Sequence, residues 1–154
     1  MVNVENTVVI NAPREEVFSL ACDFESWPEF MPSYKEVKIV QRSEDRMVIE
    51  RKGEVRGKPV FWKSEVRLEP PNMIKARQVE GPIPDMEAEW FFEALNGETK
   101  IVLIHSFEHK KVPLIGAKIP LIGEIIARLI AAKVVRRMAQ ETLEAIKRRV
   151  EGGK

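Results

Sequence analysis

The last stretch of the sequence, Gly123 to Val150, sets Ile125, Leu129, Ala132, Val135, Ala139, Leu143, Ile146 and Val150 on one stripe at helical spacing. At 1.5 Å of rise per residue this is a helix of about 40 Å. Lys147, Arg148 and Arg149 lie in its last turn, where cations suit the negative end of the helix dipole. In a chain of 154 residues, only a large sheet can cover so long an apolar face, so the rest of the sequence has to supply strands.

It does. Val2, Val4, Val8 and Ile10 alternate with mostly polar neighbours, the period-2 mark of a half-buried strand. Pro13 suits a first helical position, Glu15 and Glu16 the first turn, and Val17, Leu20, Ala21 and Phe24 an inward stripe. Ser26 and Glu29 have capping-box spacing, which predicts a second helical turn over Ser26 to Met31, ended by Pro32. From Tyr34 to His109 the period returns to two. Six runs are expected as strands: Tyr34 to Gln41, Arg46 to Val55, Pro59 to Leu68, Met73 to Glu80, Met86 to Leu95 and Thr99 to His109. Gly57-Lys58 and Asn96-Gly97 supply two of the turns, the second being a strong hairpin signal. With no linker or low-complexity tract, one domain over residues 1–154 is expected.

Composition excludes some partners. Lys plus Arg is 25 against 24 Asp plus Glu, a net charge of +1, so no field steers the chain toward nucleic acid. Cys22 is the only cysteine and the start MVNVENTVVI lacks the basic and apolar regions of a signal peptide, so a cytoplasmic location is expected. The oligomeric state is not legible.

One motif occurs twice: Val112-Pro113-Leu114-Ile115-Gly116 returns seven residues later as Ile119-Pro120-Leu121-Ile122-Gly123. Lys118, Glu124 and Arg128 interrupt this apolar run, while a membrane span needs about 20 mainly apolar residues. Transient contact of Val112 to Ile122 with an anionic membrane surface stays open, because Lys110, Lys111 and Lys118 flank the apolar tips.

The segments Ala12-Pro13-Arg14-Glu15-Glu16-Val17-Phe18, Asp23-Phe24-Glu25-Ser26-Trp27-Pro28-Glu29-Phe30-Met31-Pro32, and Gly81-Pro82 followed by Glu89-Trp90-Phe91-Phe92 stand in a telling order. Over nearly its whole length the chain resembles the START-like, birch-pollen-allergen-like (SRPBCC) superfamily, and within it the polyketide cyclase/dehydrase and coenzyme-Q-binding families. The resemblance implies an α+β helix-grip fold: a seven-stranded antiparallel sheet curled around the C-terminal helix, with an apolar cavity between them. It also implies that Trp27, Phe30 and Tyr34 form one wall, and that the Pro-Leu-Ile-Gly pair forms a lip of the mouth. There Leu114 and Ile115 would act as an apolar lid hinged at Gly116 and Gly123. The alternative is that Leu114, Ile115, Leu121 and Ile122 seal the core.

Strand parity assigns the other wall residues. Trp62, Ser64, Val66 and Leu68 share an inward face, as do Met86, Ala88, Trp90 and Phe92, while Gln78 is a candidate to orient a polar head. His105 and Phe107 share a face with Leu103, and Met138 on the long helix suits either packing or a deformable wall. Arg51 falls on the inner face of its strand with Met47, Ile49 and Gly53. There it needs an acidic partner, a water-filled pocket or a ligand oxygen, unless it reaches solvent near the strand end. His105 and His109, four residues apart on a strand, are separated by about 13 Å and cannot share one zinc ion. No metal site, phosphate loop or nucleophile elbow is recognisable, and no cofactor is required.

These residues support three readings: a carrier or chaperone for a hydrophobic small molecule (a lipid, polyprenyl quinone or polyketide-like compound), a polyketide cyclase or dehydratase, or a protein-interaction module with a small or collapsed cavity. For the enzyme, Tyr34, Arg51, Ser64 and His105 are the candidate catalytic groups. Cyclases of the resembled family tend to carry an arginine where this chain has Val66, a departure that weighs against that activity.

Overall fold

The computed structural model describes residues 1–108 and 121–152. Seven strands form one antiparallel sheet: β1 (Val2–Ile10), β2 (Tyr34–Arg42), β3 (Arg46–Val55), β4 (Lys58–Glu69), β5 (Met73–Glu80), β6 (Glu87–Leu95) and β7 (Glu98–Phe107). Their spatial order is β1-β7-β6-β5-β4-β3-β2. A helix, α1 (Arg14–Ala21), and a 3₁₀ helix (Phe24–Glu29) carry the chain from β1 at one edge to β2 at the other, and α2 (Leu121–Gly152) closes the fold. This is the helix-grip architecture that the family resemblance implies, and its element order is the one the periods predict.

Local chemistry explains the elements. On β4, Trp62, Ser64 and Val66 are buried while Phe61, Glu65 and Arg67 are exposed, as parity requires. Asn96 and Gly97 take positive φ (48° and 87°), the left-handed pair that a two-residue hairpin between β6 and β7 needs. The β3–β4 turn uses Arg56 and Gly57 (φ 54° and 77°), one residue earlier than expected, so β4 starts at Lys58. Register shifts on β2, between Tyr34 and Glu36 and again after Ile39, bend that strand. The first of them lets Tyr34 and Val37, three residues apart, both face inward.

Several expectations are corrected. Pro13 caps α1 from just outside it, and Phe18 rather than the half-buried Leu20 joins Val17 and Ala21 in the core. No capping box forms between Ser26 and Glu29, because the 3₁₀ helix begins at Phe24 behind Asp23, to which the Ser26 hydroxyl donates (2.6 Å). β6 begins at Glu87, one residue after Met86. On α2, Ile125 and Leu129 are exposed (52% and 64%), so the covered stripe starts only at Ala131 and runs through Val135, Ala139, Leu143, Ile146 and Val150. The helical phase was right, but the described sheet does not extend over the first turns.

Polar groups fix α2 to β1. Asn6 Nδ2 donates to the Arg136 carbonyl (3.0 Å) and to Gln140 Oε1 (2.9 Å); Lys147 Nζ donates to the Val9 carbonyl (2.6 Å); the Asn11 N–H donates to Glu151 (2.8 Å). All of these lie at or beyond Arg136.

Gly53 faces inward opposite Tyr34, and a Cβ there would collide with the Ser33 carbonyl oxygen and press on the Trp62 ring. Because the first obstacle is backbone, relief requires the corner before β2 to move. Gly53→Ala is expected to destabilise the fold by about 2 kcal/mol, measurable as a lower midpoint in urea with an unchanged slope.

Candidate functional site: an aromatic cavity with one interior cation

Between the sheet and the middle of α2 lies a cavity of about 510 Å³, within the range that holds a drug-sized ligand. Small residues make the hollow. Ala76 on β5 and Ala88 on β6 are cross-strand partners and both line it, and Ala131 and Ala139 face it from α2. Aromatic rings form a continuous wall: Trp62 to Tyr34 (5.8 Å between centroids), Tyr34 to Trp27 (5.2 Å) and Trp27 to Trp90 (6.1 Å). The Trp27 indole N–H is satisfied by the Ala21 carbonyl (3.2 Å), whereas the Tyr34 hydroxyl makes no hydrogen bond among the described residues.

Arg51 enters this wall from β3. Its guanidinium carbon lies 5.9 Å from the Tyr34 centroid and 5.8 Å from that of Trp62, and Nη2 donates to Ser64 Oγ (2.8 Å). Two cation–π contacts and one hydroxyl hold it, and no carboxylate among the described residues pairs with it. Its Nε is buried with no acceptor. The side chain does not escape to solvent at the strand end.

His105, on β7 between Val4 and Ala88, also lines the cavity, and its Nδ1 is buried without a partner. Burial, with a smaller contribution from the Arg51 charge, lowers its pKa to about 4. The imidazole is therefore neutral at pH 7. A general base works best with a pKa near the operating pH, so this histidine is poorly tuned for proton abstraction. Among the described residues Ser64 has no base within hydrogen-bond reach; its hydroxyl accepts from Arg51.

The expected site residues divide. Trp27, Tyr34, Arg51, Trp62, Ser64, Gln78, Met86, Trp90, His105 and Met138 line one cavity. Phe92 does not: it stacks behind Trp90 and meets Phe18 edge-on (5.0 Å), filling the space toward α1. Phe107 is buried with Val2, Val4, Ile83, Ala131 and Val135, and of this cluster Ile83, Ala131 and Val135 reach the cavity wall while Phe107 does not. Phe30 lies outside under the Arg149 guanidinium (5.2 Å). The Gln78 oxygen is already committed, accepting from the Ile83 N–H (3.0 Å) and so pinning the β5–β6 loop. Leu114, Ile115, His109 and the rest of the loop up to Pro120, with the side chains of Leu121 and Ile122, lie outside the described residues.

Parity placed Ala88 on the inward face, but sequence reasoning missed Ala76, Ile130, Val134 and Thr142 as wall residues. The facing alanines were the available signal.

A second hollow, on the sheet near the β2–β3 turn, is wide, open and lined by charges of both signs such as Arg67, Lys75, Glu65 and Glu87. Lys75 pairs with Glu89 (3.7 Å) and Arg67 with Asp45 (3.7 Å), as on a solvated face. Among the described residues, no group of three or more His, Cys, Asp or Glu could hold a metal ion, and no helix is long and apolar enough to cross a membrane. Burial raises the pKa of the Cys22 thiol, which keeps it protonated and unreactive.

Comparison with known proteins places this geometry. Residues 10–146 match the family described as polyketide cyclase/dehydrase and lipid transport. The granaticin polyketide synthase bifunctional cyclase/dehydratase of Streptomyces violaceoruber is 32% identical over 107 residues, covering 67% of this chain; the match spans only 33% of that longer relative. A protein of Streptomyces halstedii described as a polyketide cyclase is 30% identical over 95 residues, covering 59% of this chain and 87% of that one. The crystal structure of the Zhui aromatase/cyclase from Streptomyces sp. R1128 superposes with a TM-score of 0.83 at 28% identity, covering 97% of this chain and 95% of that one.

Proposed function

Because the chain belongs to the polyketide cyclase/dehydrase and lipid transport family, we propose that it binds and carries a hydrophobic small molecule, such as a lipid, polyprenyl quinone or polyketide-like compound, in the cavity between sheet and α2. The observation that carries this reading is the chamber itself: about 510 Å³ walled by aromatic and aliphatic side chains, with one interior cation and no tuned acid–base pair. Burial of ligand at about 25 cal/mol per Å² supplies the affinity. An open chamber of this size speaks against the collapsed interior that a purely protein-binding module would have. A single ligand-binding domain in a cytoplasmic setting belongs to the same proposal.

Native mass spectrometry of freshly purified protein, followed by organic extraction, tests it. The expected result is a stoichiometric small molecule of low polarity. A clean mass, combined with failure to take up any apolar probe, overturns the carrier reading.

The likeness to the granaticin cyclase/dehydratase and the Arg51–Ser64 pair favour a second reading, ring closure or dehydration of a polyketide in the same chamber. Turnover of a poly-β-ketone that disappears on replacing Tyr34, Arg51 or His105 would establish it; a carrier loses only affinity.

A further inference from the structure

The chain is balanced in charge, 25 cations against 24 acids, yet its cavity is not. Among the described residues, the charged side chains on the wall are Arg51, Arg56 and Lys58, with no Asp or Glu. Arg56 and Lys58 are exposed at the β3–β4 turn, while Arg51 stands further in, half-buried between two aromatic rings. Two buried polar atoms in this chamber lack partners, Arg51 Nε and His105 Nδ1. Buried polar groups are nearly always paired, so two orphans on one cavity mark where a ligand supplies what the protein does not. A guanidinium presents its N–H groups as a planar fork that matches a carboxylate.

We propose that the cavity selects apolar carboxylic acids. The carboxylate docks on the Nε edge of Arg51, with the imidazole N–H of His105 as its second donor, and the apolar body lies against Trp62, Trp90 and α2. Arg56 and Lys58 at the turn draw the anion toward the mouth. This rests on the hydrophobic-ligand reading above and narrows it to one head group.

All three tryptophans of the chain, Trp27, Trp62 and Trp90, line the chamber, so intrinsic fluorescence reports occupancy. The test is a titration near neutral pH with two matched pairs: dodecanoic acid and methyl dodecanoate, and adamantane carboxylic acid and its methyl ester. In at least one pair the acid is expected to bind about ten-fold or more tightly than the ester, as a charge-assisted pair confers. That ratio should collapse toward one in Arg51→Gln and fall part of the way in Arg51→Lys, which keeps the charge but loses the fork. If Arg51→Gln does not fold, Arg51→Lys decides: an undiminished ratio there overturns the proposal. Equal binding of acid and ester by the unaltered protein overturns the carboxylate site and leaves the hydrophobic-ligand reading standing, whereas no binding in either pair overturns both. An acid preference that survives Arg51→Gln but disappears in Arg56→Gln or Lys58→Gln overturns the assignment to Arg51.

Discussion

Replacing Ala88 with phenylalanine should empty the cavity of ligand while leaving the fold in place. Ala88 is half-buried on β6, opposite Ala76, where it lines the hollow at the edge of the packed core. A ring at this position occupies room that ligand would otherwise take. If it displaces about 100 Å² of ligand contact, the loss is about 2.5 kcal/mol, or roughly a hundred-fold in dissociation constant. Tryptophan-fluorescence titration reads the affinity, and thermal unfolding should move by only a few degrees because the hollow beside Ala88 can take the ring. Undiminished binding in Ala88→Phe would put the ligand elsewhere, with the charged hollow near the β2–β3 turn as the next place to look.

Acidification should weaken the fold through one residue. His105 has its pKa lowered from the ordinary 6.5 to about 4, chiefly by burial and secondarily by the Arg51 charge. The unfolded chain therefore binds a proton between these values that the folded chain refuses. Stability from this site is complete above about pH 6.5 and is lost as pH falls toward about 4, a difference of about 3 kcal/mol. The nearest charged wall residue is a cation, so nothing on the described wall offsets the refusal. Carboxylates elsewhere also titrate in this range, which makes the comparison with His105→Gln the informative one. The drop in unfolding free energy between about pH 7 and pH 4, read from denaturant titrations, should be smaller in the variant by about that amount. Parallel curves for the two proteins would mean that His105 takes up its proton freely.

Much of the architecture was readable because period is a property of the sequence. The switch from alternation to helical spacing near the end of the chain announced α2, and Asn96-Gly97 announced the last hairpin. Parity also delivered Arg51, Trp62, Ser64, Trp90 and His105 to one cavity. It failed for Phe92 and Phe107 because parity gives the side of a sheet and not the depth along it. Both residues point inward, but α1 covers the sheet at Phe92 and α2 covers it at Phe107, so each meets protein instead of the hollow. The same limit explains Ile125 and Leu129, whose helical phase is correct while the described sheet ends short of them. For Gln78 parity gave the wall but not the partner: its amide oxygen is taken by Ile83 in a loop whose path no spacing rule predicts. Nor did any pattern of large residues point to the hollow at Ala76 and Ala88, since a void is made by what is small.

The clasp between α2 and β1 splits the helix into two mechanical regimes. From Arg136 onward it is tied by directional bonds to Asn6, Val9 and Asn11, each of which fixes a position along the strand. Before Arg136 the described contacts are apolar, through Ala131 and Val135 against Val2 and Val4, and apolar contact has no preferred direction. The C-terminal part is thus a riveted beam, and the stretch before it, which brings Ile130, Ala131, Val134 and Val135 to the cavity wall, a sliding one. An entering ligand presents the sliding part with the same kind of surface it already touches, so the chamber can change its volume while every rivet and every rung of the sheet stays closed.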